Sequence, residues 1–304
     1  MKRNLNILCL AAFLAGVLSC AGHGGSVAGT KHFPQVNIPS VYTGEEERLE
    51  YLLNHYWDDF RGVPMDEIEV ALANFIGIMD NAPLPVSQKA MARLFDRICE
   101  EEKADTSAHC YTLMTQLVSK YLYDPNSPLR NEDYYLPFVR LMAESPMTSD
   151  ELKPAYRYEA ESCSICRSGT TAPDFRMRTA TGRTLSLYDV KAEYTMLFFS
   201  NPGCEACKAI IDEVMSVPEI VYLIDRGEVA VVNVYVDEDL EAWRDYESHY
   251  PETWISCYDF PRVIRNERLY EVRAIPSLYL LDRDKTILLK DAPTQKVINR
   301  ILIP

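Results

Sequence analysis

Cys204-Glu205-Ala206-Cys207 carries the residues best suited to chemistry in this chain. The apolar run Tyr194 to Phe199 leads into the turn Ser200-Asn201-Pro202-Gly203, and apolar residues at helical spacing follow at Ile210, Ile211 and Val214. A cysteine that opens a helix meets unpaired N–H groups and a partial positive charge, which favour thiolate over thiol. The spacing makes Cys204 the attacking thiol. Cys207, one turn further in, is the resolving thiol that releases a mixed disulfide formed at Cys204. Glu205, between them, opposes the helix effect by disfavouring a neighbouring negative charge.

A second pair, Cys163-Ser164-Ile165-Cys166, stands upstream. Four thiolates from two such pairs could hold zinc, but the gap from Cys166 to Cys204 exceeds the roughly 15–20 residues of common zinc ribbons. Neither pair is followed by histidine (Arg167 and Lys208 stand there), which excludes covalent haem of the c type. A local structural disulfide between Cys163 and Cys166 at a domain junction is the simpler reading, and a second redox pair relaying electrons to Cys204 the sharper one. Cys99 and Cys110 either pair or serve as small buried hydrophobes, and Cys257 is the odd thiol left over. No metal site or cofactor is implied.

The elements that must position these thiols fall into two halves. Over 41–166 the apolar residues recur at three- and four-residue spacing, as at Leu49, Leu52, Leu53 and Tyr56 after the acidic start Glu45-Glu46-Glu47. Further helices are predicted from Pro64, from Pro83, after the caps Asp105-Thr106-Ser107, over Glu132 to Glu144, and over Ser149 to Glu161. From 167 to 304 the period changes. A hairpin turns at Thr181-Gly182, strands are predicted at Thr195 to Phe199 and at the valine-rich run Val229 to Val236, and Asp239 to His249 reads as helix. A second hairpin, Leu278 to Leu289, and a last amphipathic helix, Gln295 to Leu302, end the chain.

Together with Ala274-Ile275-Pro276-Ser277 just ahead of an apolar strand, this order resembles the thioredoxin superfamily. The resemblance implies a cis proline at Pro276 beside the Cys-x-x-Cys, and an Ile275 backbone that receives a substrate's extended chain. Ala172-Pro173-Asp174-Phe175 resembles the entry of periplasmic thiol–disulfide oxidoreductases. The fold class is therefore α plus α/β: an N-terminal all-helical domain, then a thioredoxin-like α/β/α sandwich. Three departures from the family pattern stand out: Phe198 where a buried acidic residue is common, Gly203 where tryptophan is common, and Ile210 where periplasmic relatives often place glutamate. Proton transfer at Cys207 then lacks its usual carboxylate.

The first residues resemble an exported lipoprotein. Lys2 and Arg3 precede the apolar stretch Ile7 to Leu18, and Val17-Leu18-Ser19-Cys20 is similar to a lipobox, which implies a signal peptide over 1–19, lipidation at Cys20 and a flexible tether over 20–40. The turn Asp124-Pro125-Asn126-Ser127-Pro128-Leu129-Arg130-Asn131-Glu132 resembles one in exported bacterial lipoproteins that join a helical domain to a thioredoxin-like one. The resemblance implies an oxidoreductase anchored in the cell envelope, facing the periplasm, with the outer membrane preferred, or the cell exterior. Its partners would be a protein thiol or disulfide substrate and an envelope electron donor or acceptor, with the helical domain recruiting one of them. The alternatives are a non-catalytic scaffold on the same fold and, last, a thiol peroxidase, since Asn201 stands where peroxidases need threonine. A net charge of −14 over 304 residues excludes a nucleic-acid backbone as partner.

Overall fold

A computed structural model describes residues 31–303, so the expected signal peptide and Cys20 lie outside the described residues. The first half folds into α1 (Glu45–His55), α2 (Met65–Met79), α3 (Leu84–Ala104), α4 (Cys110–Leu122), α5 (Glu132–Glu144) and α6 (Lys153–Ser164). Leu53, Leu72, Phe75, Leu94, Val118 and Phe138 fill one core between them. The last helix starts four residues later than the sequence predicts, because Pro154 suits a first turn and Ser149 to Leu152 make a turn of their own. Within α5, Pro137 has no N–H for the carbonyl of Asp133, and Gln88 Nε2 donates to that oxygen instead at 3.0 Å.

Part of the stretch expected as a tether is docked. Phe33 packs its ring 5.2 Å from those of both Tyr56 and Trp57, and its N–H donates to Glu67 at 2.9 Å. An aromatic ring beside an aromatic core gains more from burial than a free linker does.

The second half is a mixed sheet in the order β2-β1-β5-β4-β3-β6-β7. Its strands are β1 (Arg176–Thr179), β2 (Thr184–Ser186), β3 (Tyr194–Phe199), β4 (Val229–Tyr235), β5 (Ile255–Tyr258), β6 (Ser277–Leu281) and β7 (Ile287–Leu289). The central pairs β3–β4 and β4–β5 are parallel, while β6 runs antiparallel to β3. One face, with Met196, Phe198, Val231 and Leu278, is covered by α7 (Glu205–Met215), α8 (Pro218–Asp225) and α11 (Thr294–Leu302). α9 (Leu240–Tyr246) packs Trp243 on Tyr235 and Tyr258 beyond that core. The opposite face, with Leu197, Phe199, Val232 and Tyr279, lies under α10 (Val263–Asn266), the turn at Leu187 and extended chain near Phe175 and Tyr270. This second layer is thus thinner than the sandwich expected from the sequence. The chain entering the sheet half also guards its edge: Gly169 N–H donates to Ile287 O at 2.8 Å, and Ile287 N–H to Thr170 O at 2.9 Å.

The two halves meet through buried charge. The Glu132 carboxylate, 3 % exposed at the start of α5, lies 2.6 Å from Arg273 Nε and 2.6 Å from Lys290 Nζ. Lys290 also donates to the carbonyls of Ser162, Cys163 and Ile165, which end α6. Arg273 donates to Tyr123 O at 2.9 Å and lies over the Tyr123 ring at 3.9 Å. Arg130 donates to the Asp291 carbonyl, and Ser168 to the Asp133 carboxylate. The turn from Asp124 to Glu132 is therefore the joint between the halves.

Removing one member of such a buried pair strands the other's charge. Glu132→Gln should cost about 3–5 kcal/mol in urea unfolding; a loss under about 1 kcal/mol would contradict the assigned role. Asp291 provides a pH signature. Burial raises its carboxyl to about 6 against the pull of Arg130 and Arg273, with Glu132 adding to the rise. Because the folded state holds this proton more tightly than the unfolded chain, the group stabilises most below about pH 4, and that contribution is lost as pH rises through 6. Asp291→Asn removes the titration. Its stability relative to the unaltered protein should rise by up to about 3 kcal/mol from pH 4 to pH 7; a pH-independent difference would refute the assignment.

Candidate functional site

β3 and β4 run parallel, so their C-terminal ends open together, and the turn after β3 leads straight into α7. Gly203 makes this turn possible, with φ at +68° in the left-handed region that a side chain disfavours. Asn201 Nδ2 anchors it to Asp237 at 2.7 Å, and Asn201 O accepts from Cys204 N–H at 3.3 Å.

Cys204 is the N-cap of α7. Its Sγ accepts from the Cys207 N–H at 3.2 Å, at a helix end that favours negative charge. Cys207 lies one turn in and is 2 % exposed, whereas Cys204 is half-buried. The Cys207 thiol donates to Cys204 Sγ at 2.6 Å, both cysteines being free. Burial pushes the Cys207 thiol up to about 12, and the bond to Cys204 adds to that.

The Ile275–Pro276 peptide is cis. Ser277, which follows, pairs with Phe199 at the end of β3, so Pro276 stands beside the turn that carries the thiols. Ile275 and Cys204 pack on the same core. A groove of about 310 Å³ runs from Ala274 and Ile275 past Arg268 and Arg273 to Tyr158 of α6, so both halves line it.

The other sequence candidates do not join this cluster. Cys163 and Cys166 are free thiols, not the expected disulfide. Cys163 ends α6 inside the helical core, while Cys166 takes a positive φ of 52° and donates to Leu269 O at the sheet core. The chain turns between them, and their side chains enter different cores. Burial raises both thiols. Cys257 is buried in the sheet, donating to Asn233 O at 3.3 Å. Cys99 and Cys110 are also free and pack on the helical core. No group of three or more His, Cys, Asp or Glu side chains among the described residues is arranged to hold a metal ion. No described helix is long and apolar enough to cross a membrane.

Sequence reasoning missed Ser200, Asn233 and Tyr250, which gather on the α7 face of the sheet. Ser200 Oγ donates to Asn233 Oδ1 at 2.5 Å and lies 3.3 Å from the Tyr250 hydroxyl. The available signal is the single amide in the run Val-Ala-Val-Val-Asn-Val-Tyr. It also missed Arg273 and Glu132, whose pairing spans the two halves.

The exposure difference between the thiols sets an order of reaction. Iodoacetamide should alkylate Cys204 of the native reduced protein well before Cys207, as peptide mass spectrometry would show; equal rates would mean that Cys207 is not sheltered.

Comparison with known proteins bears on both halves. A domain of unknown function (DUF5106) matches residues 19–164, and a family described as thioredoxin-like matches residues 192–287. No curated protein matches the chain. Among solved structures, a thioredoxin-like protein from Bacteroides caccae is 37 % identical, covering 90 % of this chain and 99 % of its own, with a TM-score of 0.74. The C-terminal domain of an uncharacterized protein from Bacteroides fragilis is 41 % identical over 45 % of this chain and 98 % of its own, with a TM-score of 0.44. The thioredoxin domain of a thiol-disulfide oxidoreductase from Bacteroides vulgatus is 20 % identical over 45 % of this chain and 96 % of its own, with a TM-score of 0.40. On its 37 % identity across nine-tenths of its length, the chain belongs to the thioredoxin-like proteins, with a domain of unknown function ahead of the thioredoxin-like one.

Proposed function

We propose that this protein is a thiol–disulfide oxidoreductase that exchanges electrons with protein disulfides through Cys204 and Cys207. The observation that carries the reading is the pair of free sulfurs at the mouth of α7, one capping the helix and one sheltered behind it, beside a cis proline. The thioredoxin-like fold supports redox chemistry in general. In this reading the Cys204 thiolate attacks a substrate disulfide. Cys207 then attacks Cys204, releases the reduced substrate and closes the internal disulfide. Ile275 and Pro276 form the substrate-facing edge, where extended chain leaves backbone groups for a partner strand.

Tethering through a lipid at Cys20, in the cell envelope, completes the proposal. Its support is the sequence around Cys20. The helical half is held fast beside Arg273, so its part in substrate recruitment would be that of a fixed wall of the groove at Tyr158.

An insulin reduction assay with dithiothreitol as electron source tests the exchange. Cys204→Ser should lower turnover to background, and Cys207→Ser should retain a substrate as a stable mixed disulfide. Full activity in Cys204→Ser would remove the dithiol reading.

A further inference from the structure

The groove beside Ile275 is basic in a chain that is acidic as a whole. Its charged lining residues are Arg265, Arg268, Arg273 and Glu271, against a net charge of −14 for the protein. Two of these guanidinium groups are committed to the joint between the halves. Arg273 gives Nε to Glu132 and Nη1 to Tyr123 O. Arg268 gives Nη1 to Glu161 of α6, and Nη2 to Ser162 and to Glu271, which engages the one acidic group of the lining.

Arg265, on α10, is placed differently. Its side chain is 62 % exposed, and its Nη2 lies 2.7 Å from Asp237 Oδ1. That contact engages one nitrogen of a fork that carries five N–H donors. The other oxygen of Asp237 accepts from Asn201 Nδ2 at 2.7 Å, and Asn201 O accepts from the Cys204 N–H. An unbroken run of contacts therefore joins Cys204, Asn201, Asp237 and Arg265, and it fixes the guanidinium beside the thiol turn, on the groove that Ile275 also lines. Arg262 gives the contrast. It is 53 % exposed and pairs with Glu238 at 3.0 Å, but it does not line the groove.

An extended substrate that reaches Cys204 past Ile275 brings the side chains next to its cysteine to Arg265. A carboxylate there meets a guanidinium whose planar fork suits it. Repulsion by the rest of the chain does not cancel this attraction. Exposed charges beyond about 8 Å are largely screened at physiological ionic strength, and a group at hydrogen-bond distance is not.

We propose that Arg265 sets the substrate class: the disulfides engaged by this protein carry aspartate or glutamate beside the cysteine that Cys204 attacks. The proposal rests on the dithiol reading above. In the step itself the Cys204 thiolate attacks the substrate sulfur, the Cys204–substrate S–S bond forms and the substrate disulfide breaks. The electron pair leaves on the second substrate sulfur, which takes up a proton. Arg265 holds the neighbouring carboxylate and exchanges neither electrons nor protons.

The test uses the reduced full chain and short peptides whose one cysteine carries a 2-thiopyridyl disulfide, flanked on both sides by aspartate, asparagine or lysine. Attack on the peptide sulfur releases pyridine-2-thione, whose absorbance gives the rate. At low salt the aspartate peptide should react about fivefold faster than the asparagine peptide, and the lysine peptide more slowly than both. Arg265→Gln should bring the aspartate-to-asparagine ratio to about one, whereas Arg262→Gln should leave it as it is. Loosening of the Asp237 anchor would alter the rates of all three peptides alike, so the ratio is the quantity compared. No preference in the unaltered protein, a preference that survives Arg265→Gln, or an equal loss in Arg262→Gln overturns the role of Arg265 while leaving the dithiol reading in place. Thione release as fast in Cys204→Ser as in the unaltered protein removes that reading, and the role of Arg265 with it.

Discussion

A carboxylate with two cationic partners in a dry interface fixes the relation of the two halves. Glu132 enters from the first turn of α5, and Arg273 and Lys290 reach it from the chain just before β6 and just after β7. None of these charges would be tolerated alone at that depth. Arg273 is further held by the Tyr123 carbonyl and ring, and the chain from Arg273 runs directly into the cis Ile275–Pro276 bond. The segment that faces the thiols is thus anchored in the other domain. A helical half joined only by flexible chain could not do this.

How much of this was legible in the sequence depends on range. The strand, the turn with its glycine, and the Cys-x-x-Cys opening a helix are local, and they appear in the structure as the residues suggest. The cis proline needed a resemblance, because no local pattern separates cis from trans. Arg273 and Glu132 stand 141 residues apart, and single charges on helices and loops read as solvated until their partners are known. β5 escaped notice for a different reason. Its four residues, Ile-Ser-Cys-Tyr, are too short a run to stand out as a strand, yet it bridges β1 and β4 in mid-sheet. Cys163 and Cys166 were misread because spacing says nothing about direction: the helix ends between them, and a positive φ sends the second thiol to another core.

The two thiols of the candidate site share a helix but not an environment. Cys204 has a backbone N–H directed at its sulfur and solvent within reach. Cys207 is buried in the core between α7 and the sheet, where charge is disfavoured by burial. In the dithiol reading proposed above, such an asymmetry assigns the order of events: the accessible sulfur engages first, and the sheltered one responds once a disulfide is formed beside it.

Shelter has a cost that falls on the second step, and the surroundings of Cys207 bear on how that cost is met. A carboxylate at position 198 would exchange a proton but would itself need partners in a core lined by Met196, Val231 and Leu278. A phenylalanine there keeps the core dry, and the polar groups on that face, Ser200 just past β3 and Asn233 on β4, are neutral and hydrogen-bond to each other. Neutral groups keep their state at any ordinary pH, so they preserve the packing of the core where a carboxylate would not.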